Sequence, residues 1–311
     1  MPSWARCGGR AERLVVKPKH IRRAEVISYR RSGVYTVLTV SAPGIAEQVR
    51  PGNFVSFSVG GEESGLLLRR AFSVLRAEER GVYGATVDVL VAPTGCGTRW
   101  LARRRPGDMV DVAGPLGRPF RLPKSPANAV LVAGGYGVAP LIGLAVALRA
   151  RGCRVDFAVG ASNADRLFGV LDAKRNSTIA RVLTEDGSLG ERGRVTDVLP
   201  GLMERANSEV AYACGPMGML AAVAELAAQR GMPSQVAVEE SMACGFGVCM
   251  TCVLPVAGAD GTTRMVRSCV EGPVFEGKSV RFADVGTVPS DAYGAAGSPG
   301  EGEPEPYSGD A

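Results

Sequence analysis

A chain of 311 residues, with 46% hydrophobic and 22% charged side chains, has apolar material for a packed core and a length that suits two domains with a small third module. Its 36 Lys and Arg against 31 Asp and Glu give a formal net charge of +5, yet the single histidine, His20, excludes more than the charge does. One imidazole cannot build a His-rich metal site, a zinc-protease pair or a Ser–His–Asp triad, so any chemistry here belongs to a cofactor.

The charge is uneven. Residues 1–50 carry ten basic against three acidic side chains, whereas 284–311 carry six acidic and no basic ones. The basic residues are not interleaved with aromatics, so the stretch 1–18 reads as a solvated extension or a protein-docking surface, and no nucleic-acid partner is expected. No apolar stretch of signal-peptide type precedes Leu14, which sets the expectation of a cytoplasmic protein. In such a reducing compartment the eight cysteines serve as thiols or metal ligands rather than disulfides.

In chain order, residues 19–124 read as short β-branched or alternating runs, such as 34–40, 54–59 and 85–91, cut by Pro51-Gly52, Gly60-Gly61 and Pro106-Gly107. That pattern predicts a small antiparallel β-barrel or sandwich. From 125 to 235 strands (129–133, 154–160, 179–183, 210–214) alternate with helical stretches, the last at 219–230, which predicts a doubly wound parallel α/β sheet. Residues 129–148 carry no charge and are long enough on paper to cross a bilayer. However, Gly134, Gly135, Gly137, Pro140 and Gly143 divide the run, so a buried strand, a glycine turn and a helix explain it, with no membrane span. Residues 236–283 are crowded with glycine and cysteine and form a third module. The stretch 284–311 reads as a disordered acidic tail rich in Gly and Pro.

The strongest signal is Cys244, Cys249, Cys252 and Cys269, spaced C-x4-C-x2-C and then sixteen residues to the fourth. This is the ligand spacing of plant-type 2Fe–2S centres. Gly245 and Gly247 lack a Cβ, so the loop can wrap tightly and turn its N–H groups toward sulfur, and Thr251 adds a hydroxyl donor. A zinc site would want two C-x2-C knuckles where one is present, and paired disulfides would need an oxidising setting, so both stand as weaker alternatives.

Two further signals flank it. Arg70-Ala71-Phe72-Ser73 ends a barrel strand, and Gly95-Cys96-Gly97-Thr98 opens a helix whose free N–H groups suit an anion that an arginine could clamp from the next strand. Gly134-Gly135-Tyr136-Gly137 lies between strand and helix, and Cys214-Gly215-Pro216 ends another strand of the same sheet. Both should face one crevice at the carboxyl ends of the strands. Each piece alone has an ordinary structural reading: a turn, a surface arginine, a buried cysteine.

Taken in order, Arg-x-Phe-Ser, Gly-x-Gly-Thr, Gly114-Pro115-Leu116-Gly117, the turn from Gly134 to Pro140 and Cys-Gly-Pro resemble the ferredoxin–NADP reductase superfamily. The segment Glu239-Glu240-Ser241-Met242-Ala243 before the cysteines, with Cys269-Val270-Glu271-Gly272-Pro273-Val274-Phe275, resembles the electron-transfer subunits of dihydroorotate dehydrogenase B. The resemblance covers about residues 19–283. It implies a multidomain α+β chain: an FAD barrel, an NAD domain and a C-terminal 2Fe–2S module. By position it implies that Arg70, Ala71, Phe72, Ser73, Leu90, Val91, Ala92, Gly97 and Thr98 contact FAD. Gly134, Gly135 and Gly137 would floor the nicotinamide crevice, with Cys214 near hydride transfer and the four cysteines on iron. It also implies an FMN-containing dihydroorotate dehydrogenase catalytic subunit as partner, in a heterotetramer, with NAD as acceptor. Phe72 stands where that family often has an aliphatic residue, leaving open a ferredoxin- or sulfide-linked NAD(P)H oxidoreductase. A zinc-stapled binding module is the non-enzymatic alternative.

Overall fold

The computed structural model describes residues 18–61 and 64–295. Most of the basic extension, Cys7 and residues 296–311 of the tail lie outside the described residues.

Six strands, β1 (Lys19–Ser32), β2 (Tyr35–Ser41), β3 (Phe54–Ser58), β4 (Arg70–Gly81), β5 (Gly84–Val91) and β6 (Met109–Leu116), close an antiparallel barrel in the order β1-β2-β5-β4-β3-β6. The alternation in the sequence decides which side chains go inside: Leu38 and Val40, Val55 and Phe57, Val87, Val89 and Val91 fill the interior. One short helix, α1 (Cys96–Ala102), joins β5 to β6.

The next unit runs β7 (Asn128–Gly134), α2 (Val138–Ala150), β8 (Arg154–Ala161), α3 (Val170–Arg175), β9 (Ile179–Thr184), β10 (Glu191–Arg192), α4 (Val195–Arg205), β11 (Val210–Cys214), α5 (Met217–Gln229) and β12 (Ser234–Ala237). Its strands pair in parallel, and both faces are covered: Leu131 joins the core under α2, while Val130 and Val132 join the one under α4 and α5. Burial on both sides explains why β7 reads as a continuous apolar run. The uncharged helix α2 packs between this sheet and barrel strand β4, sharing a core with Tyr35, Val37, Leu75 and Leu90. Among the described residues no helix is long and apolar enough to cross a membrane.

The chain then makes a hairpin, β13 (Val253–Ala257) and β14 (Thr263–Arg267), a turn of helix, α6 (Ser268–Glu271), and a last strand, β15 (Val274–Glu276). That strand returns to the sheet and pairs antiparallel with β12, giving the order β10-β9-β8-β7-β11-β12-β15. The boundary expected at 235/236 therefore falls inside β12, and the cysteine module shares a sheet with the α/β unit. The expectation of a structureless tail from 284 is corrected for residues 284–295. Ala292 is buried and bridges to Thr263, and Asp291 pairs with Arg281, because Arg281 offers a cation that also reaches Asp284 and Thr263.

Candidate functional site

A cavity of about 340 Å³ lies where the barrel, the α/β unit and the cysteine module meet. From the barrel come Phe54, Arg70, Ala71, Phe72, Ser73, Leu90, Ala92, Thr94 and Thr98. Tyr136 comes from the turn between β7 and α2, Ala139 from the first turn of α2, and Val238 to Met242 and Pro273 from the module. Of the expected FAD residues, Val91 and Gly97 do not line the cavity: Val91 points into the barrel core, since strand side chains alternate and its neighbours Leu90 and Ala92 face the cavity. Gly97 is buried, and a Cβ there would come within 2.8 Å of Val59 Cγ2 and 3.1 Å of Arg70 Nε, so glycine lets the Arg70 guanidinium lie against the first turn of α1. Thr98 Oγ1 accepts from the Gly95 N–H at 2.9 Å and fixes that turn. Arg70 is held by donating to the carbonyls of Leu68 and Arg69. Its neighbour Arg69 points the other way, to Ser56 Oγ at 2.8 Å and Asp111 Oδ1 at 2.7 Å, and His20 meets the same Asp111. The lone histidine is thus tied up in the barrel wall.

On the opposite side, Gly134 ends β7, Gly135 takes φ +56° and Gly137 starts α2. A Cβ on Gly137 would lie 2.4 Å from the Cys214 carbonyl oxygen, so glycine allows the start of α2 to pass directly over the end of β11. The structure brings these glycines and Cys214 together at the carboxyl ends of the strands, as open α/β sheets do at ligand crevices. It also places there a residue that was quoted in the sequence without a role: Glu239, whose Oε1 lies 4.0 Å from Cys214 Sγ. Burial pushes the Glu239 carboxyl up to about 7, against a hydrogen bond from Tyr136 that lowers it. Burial first, then the Glu239 charge, raises Tyr136 to about 12 and the Cys214 thiol well above its usual range. A signal for Glu239 did exist, since two adjacent carboxylates directly follow the buried run 236–238 at a strand end.

The cysteine loop leans on the barrel. Gly245 and Gly247 take φ +80° and +81°, and Met250 takes φ +58°. This left-handed winding turns backbone donors inward: the N–H groups of Phe246 and Val248 reach Cys244 Sγ at 3.3 and 3.4 Å, and the Thr251 hydroxyl reaches Cys249 Sγ at 3.2 Å. The Thr251 hydroxyl, its N–H and the neighbouring Cys244 bring the Cys249 thiol down to about 6. Burial and a hydrogen bond with Cys252 push Cys269 up to about 12. Cys249 is thus drawn to Cys244 and Cys269 to Cys252, while Cys244 also bears on Cys269, so the four thiols lie close together. Among the described residues no three His, Cys, Asp or Glu side chains converge to hold a single metal ion. Two thiol pairs with amide donors aimed at sulfur fit a dinuclear iron–sulfur centre, which takes two thiolates per iron. Cys252 and Cys269 are buried in one apolar cluster with Phe54, Leu116, Ala71 and Met242, three of which also line the cavity.

Residues 239–281 match the family model for the iron–sulfur cluster binding domain of dihydroorotate dehydrogenase B. The dihydroorotate dehydrogenase B (NAD(+)) electron transfer subunit of Geobacillus thermodenitrificans is 38% identical over 262 residues, covering 83% of this chain and 97% of its own length. This chain belongs to the family of dihydroorotate dehydrogenase B electron-transfer subunits. A probable subunit of the same name from Methanopyrus kandleri is 36% identical over 271 residues, covering 87% of this chain and 96% of its own. Among solved structures, that of an NADH-dependent reduced ferredoxin–NADP oxidoreductase superposes with a TM-score of 0.73 at 28% identity over 85% of this chain and 91% of that one. A ferredoxin NADP+ reductase from Neisseria gonorrhoeae with bound FAD and NADP has a TM-score of 0.54 at 18% identity, over 69% of this chain and 92% of its own, and shares the fold alone. The electron-transfer subunit is a flavin- and iron–sulfur-dependent NAD oxidoreductase subunit that works with a catalytic partner.

Proposed function

We propose that this subunit takes the electrons of dihydroorotate from an FMN-bearing catalytic partner and delivers them to NAD+, in the cytoplasmic synthesis of pyrimidines and in a heterotetramer of two copies of each chain. The observation that carries the reading is the shared apolar cluster: the buried cysteine pair, Cys252 and Cys269, touches side chains that also wall the cavity. Bound at these sites, the iron–sulfur centre supplies one-electron transfer and FAD supplies the two-electron chemistry of hydride exchange with NAD+.

The chain's own residues bind and orient. Arg70, with Gly97 and Thr98 at the start of α1, suits the FAD diphosphate, combining a forked cation with a glycine turn. Ala71, Phe72 and Ser73 on one side, and Leu90 and Ala92 on the other, give walls for a flat aromatic ring. Gly134 and Gly137 let the start of α2 close on the end of β11, which would seat a nicotinamide at the carboxyl ends of these strands, near Gly135 and Cys214. Glu239, in its protonated form below about pH 7, holds a proton at its carboxyl oxygen beside Tyr136 and Cys214. Phe246, Val248 and Met250 stand exposed around the cysteine loop and give the partner an apolar face to dock on. The likeness to a ferredoxin-linked oxidoreductase at TM-score 0.73 keeps a different electron partner as the second reading.

The test is reconstitution. The subunit combined with an FMN-bearing dihydroorotate dehydrogenase should form orotate with NAD+. Cys269→Ser should abolish that coupling while NADH still reduces a hydride acceptor. Orotate formation by the subunit alone, or full coupling in Cys269→Ser, would contradict the assignment.

A further inference from the structure

We propose that Arg267 is a positioning residue for the iron–sulfur centre, tying the two halves of its ligand set together and setting a fixed positive charge beside them. The inference rests on the cluster assignment and goes beyond it. Arg267 is the last residue of β14, paired in register with Val253, the residue after Cys252, and lies two residues before Cys269. Its Nη1 donates at 2.9 Å to the carbonyl of Gly247, in the loop between Cys244 and Cys249. A single guanidinium therefore bridges the segment of one thiol pair to the loop of the other. The contact is tight: a Cβ on Gly247 would meet Arg267 Nη1 at 3.3 Å and Val270 Cγ2 at 2.5 Å. On its other edge Arg267 Nη2 donates to Glu271 Oε1 at 3.2 Å, while Glu271 Oε2 is buried without a hydrogen-bond partner. The cation and its counter-charge are both part-buried, so solvent screens them less than a surface pair.

The consequence is electrostatic. An iron–sulfur centre that accepts one electron gains one negative charge. Nearby positive charge therefore favours its reduced state, and negative charge disfavours it. Arg267 and Glu271 should then pull the reduction potential in opposite directions, whereas two residues that merely brace the loop would move it the same way or not at all.

The test is an EPR-monitored redox titration of the full-length, cofactor-loaded subunit. Arg267→Gln is expected to lower the potential, with the reduced-to-oxidised ratio at the wild-type midpoint falling about tenfold, which is 59 mV for one electron. Glu271→Gln is expected to raise it, and Arg267→Lys, which keeps the charge, to stay near wild type. An unchanged potential in Arg267→Gln, a shift of both neutral variants in one direction, or equal shifts in Arg267→Lys and Arg267→Gln would overturn the proposal. Iron and acid-labile sulfide per chain, measured on the wild type first, test the cluster assignment separately; their absence removes this proposal with it.

Discussion

Two neighbouring arginines show how much a strand's alternation decides. Arg69 and Arg70 are chemically identical, yet Arg69 is spent on Ser56 and Asp111 inside the barrel wall and Arg70 faces the cavity. Arg70→Ala should weaken FAD binding by about 10- to 100-fold, the worth of a charge-assisted hydrogen bond of about 1.5–3 kcal/mol, and leave the thermal midpoint of the flavin-free chain unchanged. Arg69→Ala should instead lower that midpoint, because Asp111 then loses its close cation. Flavin titration and thermal unfolding of both variants separate the two; equal flavin affinities would refute the assignment. Glu239 gives a pH signature. Its carboxyl is raised from the ordinary range to about 7, so between about pH 4.5 and 7 the folded chain holds a proton that the unfolded chain has lost. Stability contributed by this group is complete below that window and falls as pH rises through it, by at most about 1.4 kcal/mol per unit. Glu239→Gln should flatten that slope in chemical unfolding of the flavin-free chain between pH 5 and 7. An unchanged slope would show that Glu239 is ionised throughout. Arg70 was legible in the sequence because its neighbours define the strand. The near-neutral acidity of Glu239 was not, because it arises from burial among Tyr136, Cys214 and the barrel, which only tertiary packing brings together.

At the scale of elements, the glycine at the head of α2 controls how closely helix and strand approach. Gly137→Ala would drive a Cβ to 2.4 Å from the Cys214 carbonyl, a clash with backbone that no rotamer relieves. It should cost about 1–3 kcal/mol and lower the thermal midpoint by several degrees. Gly143→Ala, in the same helix with its nearest neighbour at 3.9 Å, should instead be neutral or stabilising by up to about 1 kcal/mol. Equal midpoints for the two variants would remove the close-approach argument. Buried parallel strands were legible as apolar runs, and the barrel strands as alternating ones. Helix α4 was not, because Pro200 and Gly201 imitate a turn. It forms because Val195, Leu199, Leu202 and Met203 fall on one buried stripe against the sheet. The return of β15 to the sheet was equally hidden, since its pairing with β12 depends on a partner far away in sequence.

Across the whole molecule, the cavity exists only because three units share walls. The barrel hairpin between β1 and β2 pins the loop after β8, with Val34 N–H donating to the Asp165 carbonyl at 3.0 Å and Tyr35 Oη to the Arg166 carbonyl at 2.9 Å. The cysteine module closes the third side through Val238 to Met242 and Pro273. Domain order and the four cysteines could be read from the chain, because spacing and periodicity are local. The common wall of Phe54, Ala71 and Met242 between cavity and thiols could not, and on the proposed function that wall is the path between flavin and iron–sulfur centre. Anaerobic NADH titration of the loaded subunit, followed by visible absorption and EPR, tests this most directly. NADH should bleach the flavin and then bring up the signal of the reduced iron–sulfur centre, and that signal should fail to appear once FAD is removed. A centre that stays oxidised beside fully reduced flavin, or one that NADH reduces without flavin, would contradict that path.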